Sequence, residues 1–210
     1  MRKALVEALG TFFLVLVIGL TVVAPGAGSL APLAIGAILT AMVYAGGPVS
    51  GAHYNPAVTL AVWLGGKCGA KALAPYISAQ AAGSVLAALL VGFLKGGTVG
   101  VAMQPAVLPA FLVELVFTFA LAYVVLQVAT TKQSAGNSYF GLAIGVTVMA
   151  AAYAGGGISG GAFNPAVALG ITLMGLVAPG SLWIFFTANF AGGALAALVF
   201  RLTNPDAGAG

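Results

Sequence analysis

The sequence predicts an all-α membrane protein: six transmembrane helices plus two re-entrant half-helices, built as inverted three-helix repeats. Three observations lead there. First, 61% of the 210 residues are hydrophobic and only 5% are charged, whereas soluble domains run near ~45–50% and ~25%. Second, no Asp, Glu, Lys or Arg stands between Glu7 and Lys67, or between Lys132 and Arg201. Each gap is far longer than the ~20 residues that one spanning helix needs. Third, the chain repeats itself. Aligned without a gap, Leu33–Gly66 and Leu142–Gly175 share 18 of 34 positions, in the blocks "LAIG", "YAGG", "SG" and "NPAV". The triplet "LAA" at Leu86–Ala88 recurs at Leu195–Ala197 with the same offset of 109.

Apolar runs place spans near residues 4–23, 32–46, 75–94, 108–129, 139–155 and 181–200, three in each copy. The first has the basic start and apolar middle of a secretory leader. However, its Val6-Glu7 and Thr11-Phe12 return 107 positions later as Val113-Glu114 and Thr118-Phe119, so it reads as a helix of the repeat. A short segment is left over in each copy, at 55–65 and 164–174. With these spans, Arg2, Lys3, Lys67, Lys71, Lys132 and Arg201 fall on one side and only Lys95 on the other. The positive-inside rule makes the first group, and both termini, cytoplasmic. Arg2 and Lys67 can share a side only if the leftover segment enters the membrane and turns back. Three crossings per copy is an odd number, so the second copy starts on the opposite face. The reading is one domain over 1–210, with inverted repeats at 1–97 and 108–203.

The leftover segments carry the chemistry. "VSGAHYNPAVTLA" and "ISGGAFNPAVALG" both put Asn-Pro inside an apolar run. Asn is a preferred helix N-cap and Pro a preferred first helical residue, so Asn55-Pro56 and Asn164-Pro165 read as helix starts. Residues 56–64 would rise about 1.5 Å each, on the order of half of a ~30 Å hydrocarbon core. Non-helical backbone at that depth survives only within protein or beside water. Two facing helix N-termini set up a positive field. Each capping Asn uses its oxygen on its own helix, and its NH₂ is expected to donate outward. Residues Gly51, Ala52, His53 and Tyr54, and Gly160, Gly161, Ala162 and Phe163, are expected to supply backbone carbonyls as acceptors. Such a path suits small neutral hydrogen-bonding molecules and repels cations.

The paired motifs Asn55-Pro56-Ala57 and Asn164-Pro165-Ala166, in inverted copies with "SGAHYNPAVTLA", resemble the aquaporin (major intrinsic protein) family over essentially the whole chain. The resemblance implies a passive channel for water, in a multi-pass cell-membrane protein assembled as a homotetramer with one pore per subunit. Most members carry Arg directly after the second motif, and here that position is Val167. The glycerol-conducting branch has Asp next, and here it is Ala168. Carried over by distance from each Asn, the other constriction positions are Ile35, Ala152 and Gly161. This ring would be wide and greasy, so ammonia, urea and short polyols join water as expected permeants. A hydrophobic ring can also dewet and slow water.

Glu7 and Glu114 lie inside spans at matching repeat positions. A carboxyl there is costly and marks a function by default, and the expected role is to accept hydrogen bonds from the re-entrant loops. The rival is proton coupling in a secondary transporter, which also uses inverted repeats and broken helices. His53 has no second histidine and its repeat mate is Ala162, which argues against metal binding or catalysis. The lone Cys68 excludes a disulfide framework. No cofactor is expected, and no nucleophile–base set supports an enzyme. The net charge of +4 is scattered, forming no nucleic-acid-binding stripe. Tyr44 and Tyr153 recur in register as packing residues, and Gly83, Gly192 and Gly193 suit close helix approach.

Overall fold

A computed structural model describes residues 1–97 and 101–205. Six long helices account for the predicted spans: α1 (Arg2–Val22), α2 (Ala31–Ser50), α4 (Leu73–Leu94), α5 (Val107–Thr130), α6 (Phe140–Ser159) and α8 (Leu182–Thr203). All six are long and apolar enough to cross a membrane. Two nine-residue helices, α3 (Pro56–Leu64) and α7 (Pro165–Leu173), fall where the leftover segments were expected. Two observed spans end four residues past the apolar runs, because α2 and α6 continue through Gly-rich "AGGPVS" and "AGGGIS" before stopping. What stops them is Gly51 and Gly160, which take left-handed φ of 90° and 99°, the helix C-terminal conformation that glycine adopts without steric cost.

Each short helix enters and leaves by one face. Ser50, Gly51 and Lys67 line one cavity together with Lys3 near the start of α1, so segment 51–67 returns to the face on which the chain begins. Lys132 shares a second cavity with Lys67. At the opposite end the Lys95 ammonium donates to the Pro25 carbonyl. There Met103 bridges to Val177, and a Cβ on Gly160 would meet Val177 at 3.1 Å. Segment 160–177 therefore turns back at that second end. The half-helices are exchanged between copies: α3 packs on α8 and α5, while α7 packs on α4 and α1.

Glycine sets how closely the copies approach. The Gly of each "LAIG" block faces the other across the α2–α6 crossing, where a Cβ on Gly36 would sit 2.8 Å from the Gly145 carbonyl oxygen. A Cβ on Gly83 would run into the Ala8 carbonyl of α1, and one on Gly192 would lie 2.5 Å from the Leu115 oxygen. A Cβ on Gly193 would lie 2.5 Å from the Ala57 oxygen, against the first turn of α3. Without a hydrophobic drive between helices in lipid, this close packing supplies the attraction.

Gly83→Val is expected to cost about 1–3 kcal/mol through overpacking and to lower the melting temperature of the purified protein in detergent. Gly92→Ala, where an added Cβ meets nothing within 4 Å, should leave that temperature unchanged.

Candidate functional site

Both re-entrant loops are built around a buried carboxylate. Glu7, fully buried on α1, accepts from the backbone N–H groups of His53 (3.0 Å) and Tyr54 (2.7 Å), from the Ser50 hydroxyl (2.7 Å) and from Gln80 Nε2 (2.8 Å). The Ser50 hydroxyl in turn accepts from Ala52 N. Glu114 on α5 repeats the pattern with Ala162 N (2.9 Å), Phe163 N (2.6 Å) and the Ser159 hydroxyl (2.6 Å), and Gly161 N donates to Ser159. Charge-assisted bonds of this kind are roughly twice as strong as neutral ones.

The carboxylates hold backbone that would not hold itself. Ala52, Tyr54 and Phe163 have φ of 52°, 49° and 51°, a left-handed conformation costing roughly 1–2 kcal/mol per non-glycine residue. Turning two N–H groups of each loop toward a carboxylate, and a third toward the serine bound to it, leaves the neighbouring carbonyls elsewhere. No hydrogen bond among the described residues reaches the carbonyl oxygens of Gly51, Ala52, His53, Gly160, Gly161 or Ala162. The rings of Tyr54 and Phe163 anchor the loop ends. The Tyr54 hydroxyl donates to the Met42 carbonyl at 2.9 Å, and Phe163 packs edge-on against Phe117 at 5.5 Å.

Asn55 and Asn164 cap α3 and α7 from extended backbone. Asn55 Oδ1 accepts from Ala57 N (2.8 Å) and Val58 N (3.3 Å), and Asn164 Oδ1 from Ala166 N (2.9 Å) and Val167 N (3.4 Å). Their NH₂ groups differ from expectation. Asn55 Nδ2 donates to the Phe163 carbonyl (2.9 Å) and Asn164 Nδ2 to the Tyr54 carbonyl (2.8 Å). One hydrogen of each amide therefore ties the two half-helices together, leaving one, not two, for anything else. The Tyr54 and Phe163 carbonyls are spent on the same bonds.

Both Asn side chains line one cavity of about 220 Å³. Ala52, His53 and Tyr54, Gly160, Gly161 and Ala162 line it too, as do the four carried-over constriction positions Ile35, Ala152, Gly161 and Val167. Most of the remaining wall is aliphatic, with Leu14, Ile18, Leu39, Leu121 and Ile171 on it. Of the loop residues, Gly51 lines the cavity at the basic end and Phe163 lies buried behind the wall. Pro56, Ala57, Pro165 and Ala166 are buried in the first turns of α3 and α7. His53 and Val125 border both the central cavity and the one of about 450 Å³ at the basic end.

Sequence reasoning missed the polar side chains between helices. Gln80 bridges Glu7 and the Thr59 hydroxyl (3.0 Å), and the Ser84 hydroxyl donates to the Ala166 carbonyl at 2.6 Å. Gln80 and Asn189 stand 109 positions apart in apolar runs, a signal that the repeat carried. Tyr44 and Tyr153 part ways: the Tyr44 hydroxyl donates to Ser138 O and accepts from Leu142 N, whereas Tyr153 is exposed. Half-buried Cys68 sits in the loop after α3, where burial pushes its thiol pKa up, away from the reactive thiolate.

Fold and site together define a polytopic helical membrane protein in which two re-entrant half-helices meet at a polar pair. A family profile described as Major intrinsic protein matches residues 1–200. Curated relatives include "Glycerol uptake facilitator protein-like 6" of Lactiplantibacillus plantarum, 37% identical over 98% of this chain and 100% of that one. "Aquaporin NIP1-4" of Oryza sativa subsp. japonica is 36% identical over 96% and 77%, and "Aquaporin Z" of Rhodopseudomonas palustris is 32% identical over 98% and 94%. Among solved structures, the aquaglyceroporin from Plasmodium falciparum has the same fold, with a TM-score of 0.78 at 21% identity and 98% of each chain covered. The chain belongs to the major intrinsic protein family.

Glu114→Gln replaces an acceptor-only carboxylate by an amide whose NH₂ would face other donors. It should destabilise the protein by about 1–3 kcal/mol, the penalty of a buried unsatisfied group, read as a lower melting temperature in detergent. Ser159→Ala, which leaves the carboxylate in place, should cost less.

Proposed function

We propose that the chain is a passive channel for water and small uncharged solutes such as ammonia, urea and short polyols. One observation carries this reading: two Asn amides at opposed helix N-termini border one cavity together with loop residues whose carbonyls take no hydrogen bond from the described residues. Asn55, Pro56, Ala57, Asn164, Pro165 and Ala166 form its centre. Gly51 to Tyr54 and Gly160 to Ala162 line its path, with Phe163 behind the wall and Glu7 and Glu114 as the loop supports, and Ile35, Ala152, Gly161 and Val167 form the selectivity constriction. With no arginine there, cation exclusion rests on the two half-helix N-termini and the remaining amide hydrogens. The channel is one domain over 1–210, of which 98–100 and 206–210 lie outside the described residues, and its repeats run over 1–97 and 108–203. It works as a homotetramer in the cell membrane, with both termini and the basic mouth cytoplasmic.

A coupled transporter needs a group that binds and releases its ion. Glu7 and Glu114 are the carboxyls inside spans, and donors from the loop segments already occupy both oxygens of each. Enzymatic chemistry has no support in the site, and the family is one of passive channels.

Proteoliposomes should shrink faster than empty vesicles under an osmotic step, at a rate linear in the gradient and indifferent to a proton gradient. Water permeability equal to that of empty vesicles would refute the channel. Asn164→Asp places a negative charge beside the opposed dipoles and should raise cation leak, measured with an ion-sensitive dye. Val167→Arg should reduce urea flux more than water flux by narrowing the ring.

A further inference from the structure

Each loop has its own carboxyl, but only that of the first copy continues through a hydroxyl to a ring. Gln80 Nε2 donates both to Glu7 Oε2 (2.8 Å) and to the Thr59 hydroxyl oxygen (3.0 Å). The Thr59 hydroxyl donates its one hydrogen to the Asn55 carbonyl (2.9 Å) and lies 3.2 Å from His53 Nδ1. In the second copy the matching residues are Asn189, Ala168 and Ala162. Asn189 faces Glu114 there, but its Nδ2 makes no hydrogen bond of normal length among the described residues, and its Oδ1 accepts from Thr118.

The direction of the relay follows from the carboxylate. The Glu7 oxygens already take hydrogens from Ser50, His53 and Tyr54, so Gln80 turns its NH₂ toward Oε2 as a fourth donor. The opposite amide orientation would set oxygen against oxygen, and Gln80 Oε1 accordingly has no partner. Thr59 has committed its hydrogen, leaving lone pairs to face Gln80 and His53. Nδ1 must therefore carry a hydrogen, and the neutral ring has its lone pair on Nε2. That atom bonds no protein group among the described residues, yet it is absent from their closed-off unpaired atoms, Gln80 Oε1, Thr172 Oγ1 and Asn189 Nδ2. It is open to space, and His53 borders both the central cavity and the basic mouth.

We propose that His53 determines specificity at the basic mouth: Glu7, through Gln80 and Thr59, fixes its ring as the Nδ1–H tautomer, so that Nε2 is an obligate acceptor for permeating solutes. Together with the unbonded loop carbonyls, this makes the path rich in acceptors, against one spare hydrogen on each Asn. It favours small neutral solutes that donate more hydrogen bonds than they accept. Ammonia and urea, with more N–H groups than acceptor sites to satisfy, are the simplest of these, while water, donor and acceptor in equal measure, serves as the neutral reference. The selectivity rests on the channel reading, but the tautomer assignment does not.

His53 is the single histidine of the chain, so ring ¹⁵N spectra of the full-length labelled protein report on it alone. At a pH where the ring is neutral, the Nδ1–H tautomer is expected, and a dominant Nε2–H tautomer would overturn the proposal. Thr59→Val keeps the side-chain shape but removes the hydroxyl. It should shift the ring toward Nε2–H and lower the urea-to-water permeability ratio of proteoliposomes by about threefold to tenfold, the scale of one hydrogen bond. Thr59→Ser should retain both the tautomer and the ratio. A wild-type channel that passes water but no urea, an unchanged ring in Thr59→Val, or a switched ring with an unchanged ratio would each overturn the proposal. Absence of all flux beside an Nδ1–H ring would instead overturn the channel reading, taking the selectivity with it.

Discussion

Peptide N–H groups exposed to hydrocarbon are too costly to leave bare, and this fold puts two stretches of non-helical chain at that depth. Glu7 and Glu114 answer the demand. Each is a carboxyl on a spanning helix whose oxygens collect the N–H groups of a loop belonging to the same repeat. Such a group is tolerated there because protein donors replace the water its oxygens would otherwise bind. The remaining features depend on this: three left-handed non-glycine residues, carbonyls free of protein partners, and half-helices that start at the right height.

Much of the architecture could be read because it comes from one-dimensional constraints. Charge-free length gave the six spans, and the duplicated "SG" and "NPAV" blocks located both half-helices to within one residue of their observed ends. Asn-Pro announced the helix starts because cap and first-turn preferences are local. The inverted arrangement followed from where Lys67 and Lys132 had to lie, and those lysines do line one mouth.

What the sequence hid was long-range and geometric. Local cap chemistry could not say that each Asn would donate one hydrogen to the other copy's loop, since that bond joins residues 108 or 110 positions apart. The roles of Gln80 and Thr59 depend on helix rotation within the packed bundle, which apolar periodicity fixes poorly when every face is greasy. The split between Tyr44 and Tyr153 shows the limit of repeat logic. Both rings are exposed, yet the hydroxyl meets loop backbone in one copy and no hydrogen-bond partner among the described residues in the other.

The crosswise amide bonds also bear on how the protein comes to exist. Tyr54 is made early, yet its carbonyl waits for Asn164, 110 residues further along the chain. Until the later half is threaded into the bilayer, the first short helix has its cap but not its clasp. Biogenesis must shelter an unfinished hairpin for the time the ribosome needs to deliver the remainder.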